Sequence, residues 1–154
     1  MHPNAEIVAK ALLDLGAQGE IVELPDSART ARAAAEQLGC EVGAIANSLV
    51  FDADGSPLLV MTSGAHRVDT AKVAALVGAV KVRRATPEFV REATGQPIGG
   101  VAPVGHPEPV RTLVDVWLDR YDEVWAAGGH PHTVFPTSYG ELLRITGGTP
   151  AEVE

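Results

Sequence analysis

Three glycine-broken segments of this chain carry residue types that can bind a ligand or move a proton. The first is Gly95-Gln-Pro-Ile-Gly-Gly-Val-Ala-Pro-Val-Gly-His106, with four glycines and two prolines in twelve positions. Glycine allows close backbone approach and proline stiffens the chain, so this loop is rigid and bare and can offer main-chain N–H groups to an oxygen. It lacks the Gly-Lys-Ser/Thr ending of a phosphate-binding P-loop and follows a helical pattern, which argues against a nucleotide triphosphatase. The second segment is Thr62-Ser63-Gly64-Ala65-His66-Arg67, and the third is Gly128-Gly129-His130-Pro131-His132. In addition, Asn47-Ser48 interrupts an apolar run, and an amide directed inward there needs a protein or ligand partner.

Other chemistries find less support. His130 and His132 with His106 resemble part of a metal site, but no carboxylate stands at a fixed spacing, and we expect no metal and no cofactor. Cys40 follows a helix end rather than opening a helix, where a thiolate would be stabilised. Ser63 lies in no Gly-x-Ser-x-Gly elbow. A single cysteine also excludes an internal disulfide.

These segments need a frame. The chain has 154 residues, 45% hydrophobic and 21% charged, which fits one domain with an ordinary core. No apolar run approaches the ~20 residues of a membrane helix, and no secretion signal is visible, so the expected location is cytoplasmic, away from membranes. The net charge is −8, yet residues 67–91 hold six basic side chains against two acidic ones. Such a strip can meet a phosphate backbone in a salt-dependent way, or simply be a solvated face.

Asn4 reads as the cap of a helix over about 5–15, and residues 20–24 as a short strand. Thr30 caps a helix to Leu38, closed by Gly39. Residues 45–51 and 57–62 flank Asp54-Gly55, a hairpin signal. Asp69 caps a helix over 70–77, residues 80–84 read as a strand, and Thr86-Pro87-Glu88 starts a helix ending at Gly95. Strands follow near 110–116, 122–127 and 132–135. Ser138-x-x-Glu141 is a capping box, and the tail from Gly147 reads as loose. This order predicts a single α+β domain over 1–154 rather than a doubly wound parallel sheet.

Asn47-Ser48-Leu49-Val50-Phe51, then Thr62 through Asp69 with Lys72, then Gly99-Gly100-Val101-Ala102-Pro103-Val104-Gly105 are similar in order and spacing to the YbaK/prolyl-tRNA-synthetase-associated domain family. The similarity covers roughly residues 5–146. Members are small α+β domains that hydrolyse misacylated tRNAs, free-standing or inserted in the synthetase, and the resemblance implies a mixed, barrel-like β-sheet with surrounding helices here. At this length the chain resembles a free-standing member. The resemblance implies trans-editing of a tRNA carrying a small amino acid of the Ala/Cys/Ser/Thr class. It implies the acceptor end as partner, with a synthetase as a further one.

On this reading Asn47, Gly100 and His132 are the candidate catalytic residues. Ser48, Thr62, Ser63, Gly64, Arg67, Lys72, Gly99, Val101 and Pro103 bind substrate. Main-chain N–H groups around Gly99, Gly100 and Val101 would hold the developing oxyanion. Between His130 and His132, the latter is favoured because it lies on the apparent strand. The chain departs from the family where a lysine is usual, at Asn47, which hydrogen-bonds without charge. Two other readings remain open: a non-catalytic module that docks a tRNA end or a synthetase, and a small hydrolase of another acyl ester.

Overall fold

Local sequence chemistry sets most element ends. A computed structural model describes residues 2–154. Helix α1 spans Pro3–Asp14, α2 Ala31–Leu38, α3 Thr70–Val77, α4 Pro87–Thr94 and α5 Tyr139–Thr146. Thr30, Asp69, Thr86 and Ser138 each accept a hydrogen bond from a backbone N–H of the first turn, as expected. Each such cap is worth about 1 kcal/mol. Gly39, Gly78, Gly95 and Gly147 close those four helices in the left-handed conformation. The first helix differs from expectation. It opens at Pro3, and the His2 ring caps it by accepting from the Asn4 N–H at 3.1 Å. Proline in the first turn needs no donor, so the start moves ahead of Asn4.

The strands are β1 Val22–Glu23, β2 Ile45–Ala53, β3 Ser56–Ser63, β4 Val82–Arg84, β5 Arg111–Asp115, β6 Val124–Ala127, β7 Thr133–Thr137 and β8 Thr149–Ala151. The β2–β3 hairpin turns on Asp54 and Gly55, both at positive φ, the pairing its twist favours. All eight strands join one mixed sheet in the order β1-β7-β6-β2-β3-β5-β8, with β4 also on β2. The expected single-sheet α+β architecture is present. The sheet is open, ending at β1 and β8. Two expectations are corrected. The first strand shrinks to two residues, and the tail is not loose: β8 runs parallel to β5 and Val153 is fully buried. That pairing is long-range, so local composition does not signal it.

Side chains alternate across the hairpin. Phe51, Leu58 and Val60 pack with Val73 of α3 and Val153 on one face. Val50, Leu59 and Met61 pack with α1, α4 and α5 on the other. A third cluster joins α2 to Ile45 and Val134.

Candidate functional site

The site originates in an interruption of the sheet. Strand β2 is bonded along one edge by β3 over its whole length. Its other edge is shared: β6 pairs with residues 45–46 and β4 with residues 51–53. Residues 47–50 therefore have no strand neighbour on that edge. An unpaired stretch of strand edge needs water, a loop or a ligand. A cleft of about 530 Å³ lies there, lined by Asn47, Ser48, Leu49 and Val50 among others. Behind it a niche of about 30 Å³ is walled by small residues including Ala31, Ala34, Ala46 and Ala126. Asn47, Ser48, Gly99 and Val101 line both spaces.

The loop after α4 is held against this gap. Gln96 is buried; its side-chain oxygen accepts from the Ala102 N–H at 2.6 Å and its Nε2 donates to the Val104 carbonyl at 3.2 Å. Gly99 has φ +86°, and a β-carbon there would lie 3.1 Å from Cβ of Arg29. Only glycine lets the loop come this close. The Gly100 N–H closes a turn on the Pro97 carbonyl at 3.0 Å. The N–H groups of Gly99 and Val101 make no hydrogen bond among the described residues. The same holds for the Asn47 side-chain amide, which leaves donors and an acceptor free at the cleft.

Of the sequence-predicted residues, Asn47, Ser48, Arg67, Gly99 and Val101 come together at this cleft. The others lie elsewhere. Thr62 and Ser63 are buried below it: the Ser63 N–H donates to Asp115 Oδ2 at 3.0 Å, and the Ser63 hydroxyl donates to the Gly43 carbonyl at 2.8 Å. Gly64 packs so closely that a β-carbon would meet the Val42 carbonyl and lie 2.8 Å from Ala31 Cβ. A β-carbon on Gly100 would stand 2.8 Å from the backbone of His130 and Pro131, so Gly100 seats the loop. Lys72 donates to the Glu154 carbonyl at 3.0 Å beside a separate hollow. Pro103 lines a different hollow with His106.

His132 lies on neither the cleft nor the niche. Its ring is 5.5 Å from that of His130, which in turn lies 4.4 Å from His2. Burial, with His2, His132 and Arg29 nearby, holds His130 below its ordinary pKa. His106 Nε2 donates to the Ala102 carbonyl at 2.8 Å, and burial lowers its pKa. Among the described residues no group of three or more His, Cys, Asp or Glu side chains is arranged for a metal ion. Cys40 is half-buried and burial raises its pKa, so it stays a thiol.

Sequence reasoning missed Arg29, Arg84 and His66. Arg29 precedes α2 and Arg84 ends β4; with Arg67 they line the cleft. None of the three guanidiniums makes an ion pair, and no acidic side chain lines cleft or niche among the described residues. Half of this was legible, since Arg67 and Arg84 belong to the basic 67–91 strip. Arg29 carried no local signal. A basic cleft with a small recess and free N–H donors suits a small acyl group on a polyanion.

Comparison with known proteins agrees with that geometry. A family model described as an aminoacyl-tRNA editing domain matches residues 25–145. YwhH of Bacillus subtilis, itself uncharacterised, is 32% identical over 130 residues, covering 84% of this chain and 82% of that protein. A proline–tRNA ligase of Nitratidesulfovibrio vulgaris is 31% identical over 146 residues, covering 87% of this chain but 25% of the ligase. The chain thus spans about a quarter of that relative's length. Among solved structures, a candidate trans-editing enzyme for prolyl tRNA synthetase matches with a TM-score of 0.94 at 46% identity, over 100% of this chain and 98% of that one.

Proposed function

This chain belongs to the aminoacyl-tRNA editing domain family, and from that premise we propose that it hydrolyses the ester of a tRNA mischarged with a small amino acid, acting in trans. The observation that carries the reading is the pairing of a niche of about 30 Å³ with an arginine-lined cleft of about 530 Å³. A niche of that size, walled by alanines, favours small side chains over large ones. Alanine, serine and cysteine fit that preference and threonine lies at its edge. Arg29, Arg67 and Arg84 face the terminal phosphates of the acceptor end.

In this reading the aminoacyl group enters between β2 and the Gly99–Val101 backbone. Asn47 hydrogen-bonds the acyl group or the terminal ribose. The free N–H groups of Gly99 and Val101 receive the oxyanion that forms when water adds to the ester carbonyl. Preorganised donors of this kind lower the barrier because they need not reorient during reaction. No side-chain nucleophile is required. The names of the relatives direct attention to tRNA for proline, and a prolyl-tRNA synthetase is the partner that would supply the mischarged substrate.

The test is release of labelled amino acid from alanyl-, cysteinyl-, seryl- and threonyl-tRNA for proline, with enzyme well below substrate. We expect turnover of at least one of them, fastest for the smallest side chains. No release above the uncatalysed rate from any of the four would overturn the enzymatic reading and favour a module that only binds the acceptor end. Equal rates on simple aminoacyl esters would favour a general ester hydrolase.

A further inference from the structure

We propose that His66 is the proton-transfer residue of this site; the assignment rests on the deacylase reading above. Ester hydrolysis needs a group that takes a proton from water and returns one to the leaving oxygen. Among the described residues lining the cleft, His66 is the only one whose side-chain type gains or loses a proton near neutral pH. The arginines stay charged, and Thr30, Asn47, Ser48 and Thr70 do not titrate in that range.

The His66 ring is fixed on two sides. Its Nδ1 lies 2.8 Å from Asp115 Oδ2, and Asp115 is 1% exposed. Asp115 Oδ1 accepts from the Trp117 N–H at 3.0 Å and Oδ2 from the Ser63 N–H at 3.0 Å. Both oxygens are acceptors, so Nδ1 carries the proton and donates it. Trp117 supports the ring with centroids 4.8 Å apart. This leaves Nε2 as the available nitrogen, with a lone pair when the ring is neutral. The charged groups facing His66 are Asp115 and Glu154, whose Oε1 is 3.8 Å from Nε2, and Arg120 stacks on the Trp117 ring beside it. Lys72 and Glu152 line the hollow behind it. Arg67 follows His66 in the chain and lines the same cleft, so the proton-transfer group and a phosphate-binding group arrive on one loop.

The step balances as follows. A water oxygen bonds to the ester carbonyl carbon while Nε2 takes one of its protons, and the carbonyl electron pair moves onto oxygen. The adduct then reforms the carbonyl, the bond to the ribose oxygen breaks, and that oxygen takes the proton from Nε2. The products are tRNA with its hydroxyl restored and a free amino acid, whose new carboxyl group gives its proton to solvent. Asp115 is a positioning residue, holding the tautomer.

The experiment measures kcat and KM on alanyl-tRNA for proline for wild type and His66→Asn, with a melting curve for each. Asn retains a donor toward Asp115. We expect kcat to fall about 100-fold or more with KM within threefold, the low end of what general acid–base catalysis supplies. We also expect added imidazole to restore part of the variant's rate, which a merely structural role for His66 would not allow. An active wild type with an equally active variant, or a variant that imidazole does not rescue at all, overturns the assignment alone. If His66→Asn does not fold, His66→Gln decides in the same assay: a kcat within threefold of wild type overturns the assignment. A wild type inactive on all four substrates overturns the deacylase reading, and this assignment with it.

Discussion

Asn47 and Thr62 stand directly opposite each other on β2 and β3. Both interrupt apolar runs with a polar side chain, yet they end in different environments. Thr62 is 1% exposed, and its hydroxyl lies in the node built on Asp115. The backbone N–H groups of Ser63 and Trp117 and the His66 Nδ1 all bond one buried carboxylate there. Asn47 lies on the stretch of β2 between its pairings with β6 and β4 and lines the cleft, and its amide has no partner among the described residues. The difference teaches which polar residues hold the fold and which await a ligand. A buried polar group with all its bonds made is architecture, whereas a polar group at a cleft with none made is a binding determinant.

The sharpest way to break this contrast is to remove Asp115. Asp115→Ala strands several donors in the interior, and we expect a loss of about 3–5 kcal/mol in folding stability. Urea denaturation measures it, and a loss below 1 kcal/mol would mean that the node is not structural. Gly100→Ala comes next. The added carbon meets the His130–Pro131 backbone, and overpacking of this kind costs about 1–3 kcal/mol. Its melting temperature should therefore fall. An unchanged melting temperature with lost activity would return Gly100 to the binding surface.

Asn47→Ala tests the open side. We expect it to reduce kcat/KM by about 1–3 kcal/mol of transition-state stabilisation while stability stays within about 0.5 kcal/mol. Asn47→Lys adds charge and length at the same place and should change the ranking of the four mischarged tRNAs. If both variants match wild type on every substrate, Asn47 is a structural amide and the contrast with Thr62 fails.

The smallest effect is on pH dependence. Burial holds His106 below its ordinary value near 6.5, so the unfolded chain binds that proton more readily than the folded one. The stability it contributes is present above the ordinary value and is lost as pH falls from there toward the folded value. His106→Gln should flatten the decline in melting temperature between about pH 7.5 and pH 5.5. His130 is shifted in the same direction and leaves a residual slope.

The legible part of this protein is its local chemistry. Thr30, Asp69, Thr86 and Ser138 are short-range caps, and Asp54-Gly55 is a short-range turn, so neighbours in sequence suffice to read them. The family motifs led to Asn47, Ser48, Arg67, Gly99 and Val101, all of which line the cleft. The motifs did not separate ligand-facing groups from the supports beneath them. Thr62, Ser63 and Gly64 sit in the same motif as His66 and Arg67, and which of them faces the cleft depends on Asp115, far away in the sequence. Arg29 reaches the cleft only because Gly99 packs on it. The β8 strand exists because β5 offers it an edge. Such pairings across long stretches of chain leave no periodicity to read.

The gap in the β2 edge has a consequence for how such proteins diversify. Asn47 and Ser48 have no strand neighbour on that side, so replacing their side chains leaves β6 and β4 attached at 45–46 and 51–53. The position acts as an exchangeable cassette in a fixed frame, where lysine or asparagine can be fitted without rebuilding the sheet. A directed-evolution library confined to Asn47 and Ser48 would therefore sample new acyl or tRNA preferences at less risk to the fold than one spread into the buried residues 62–64.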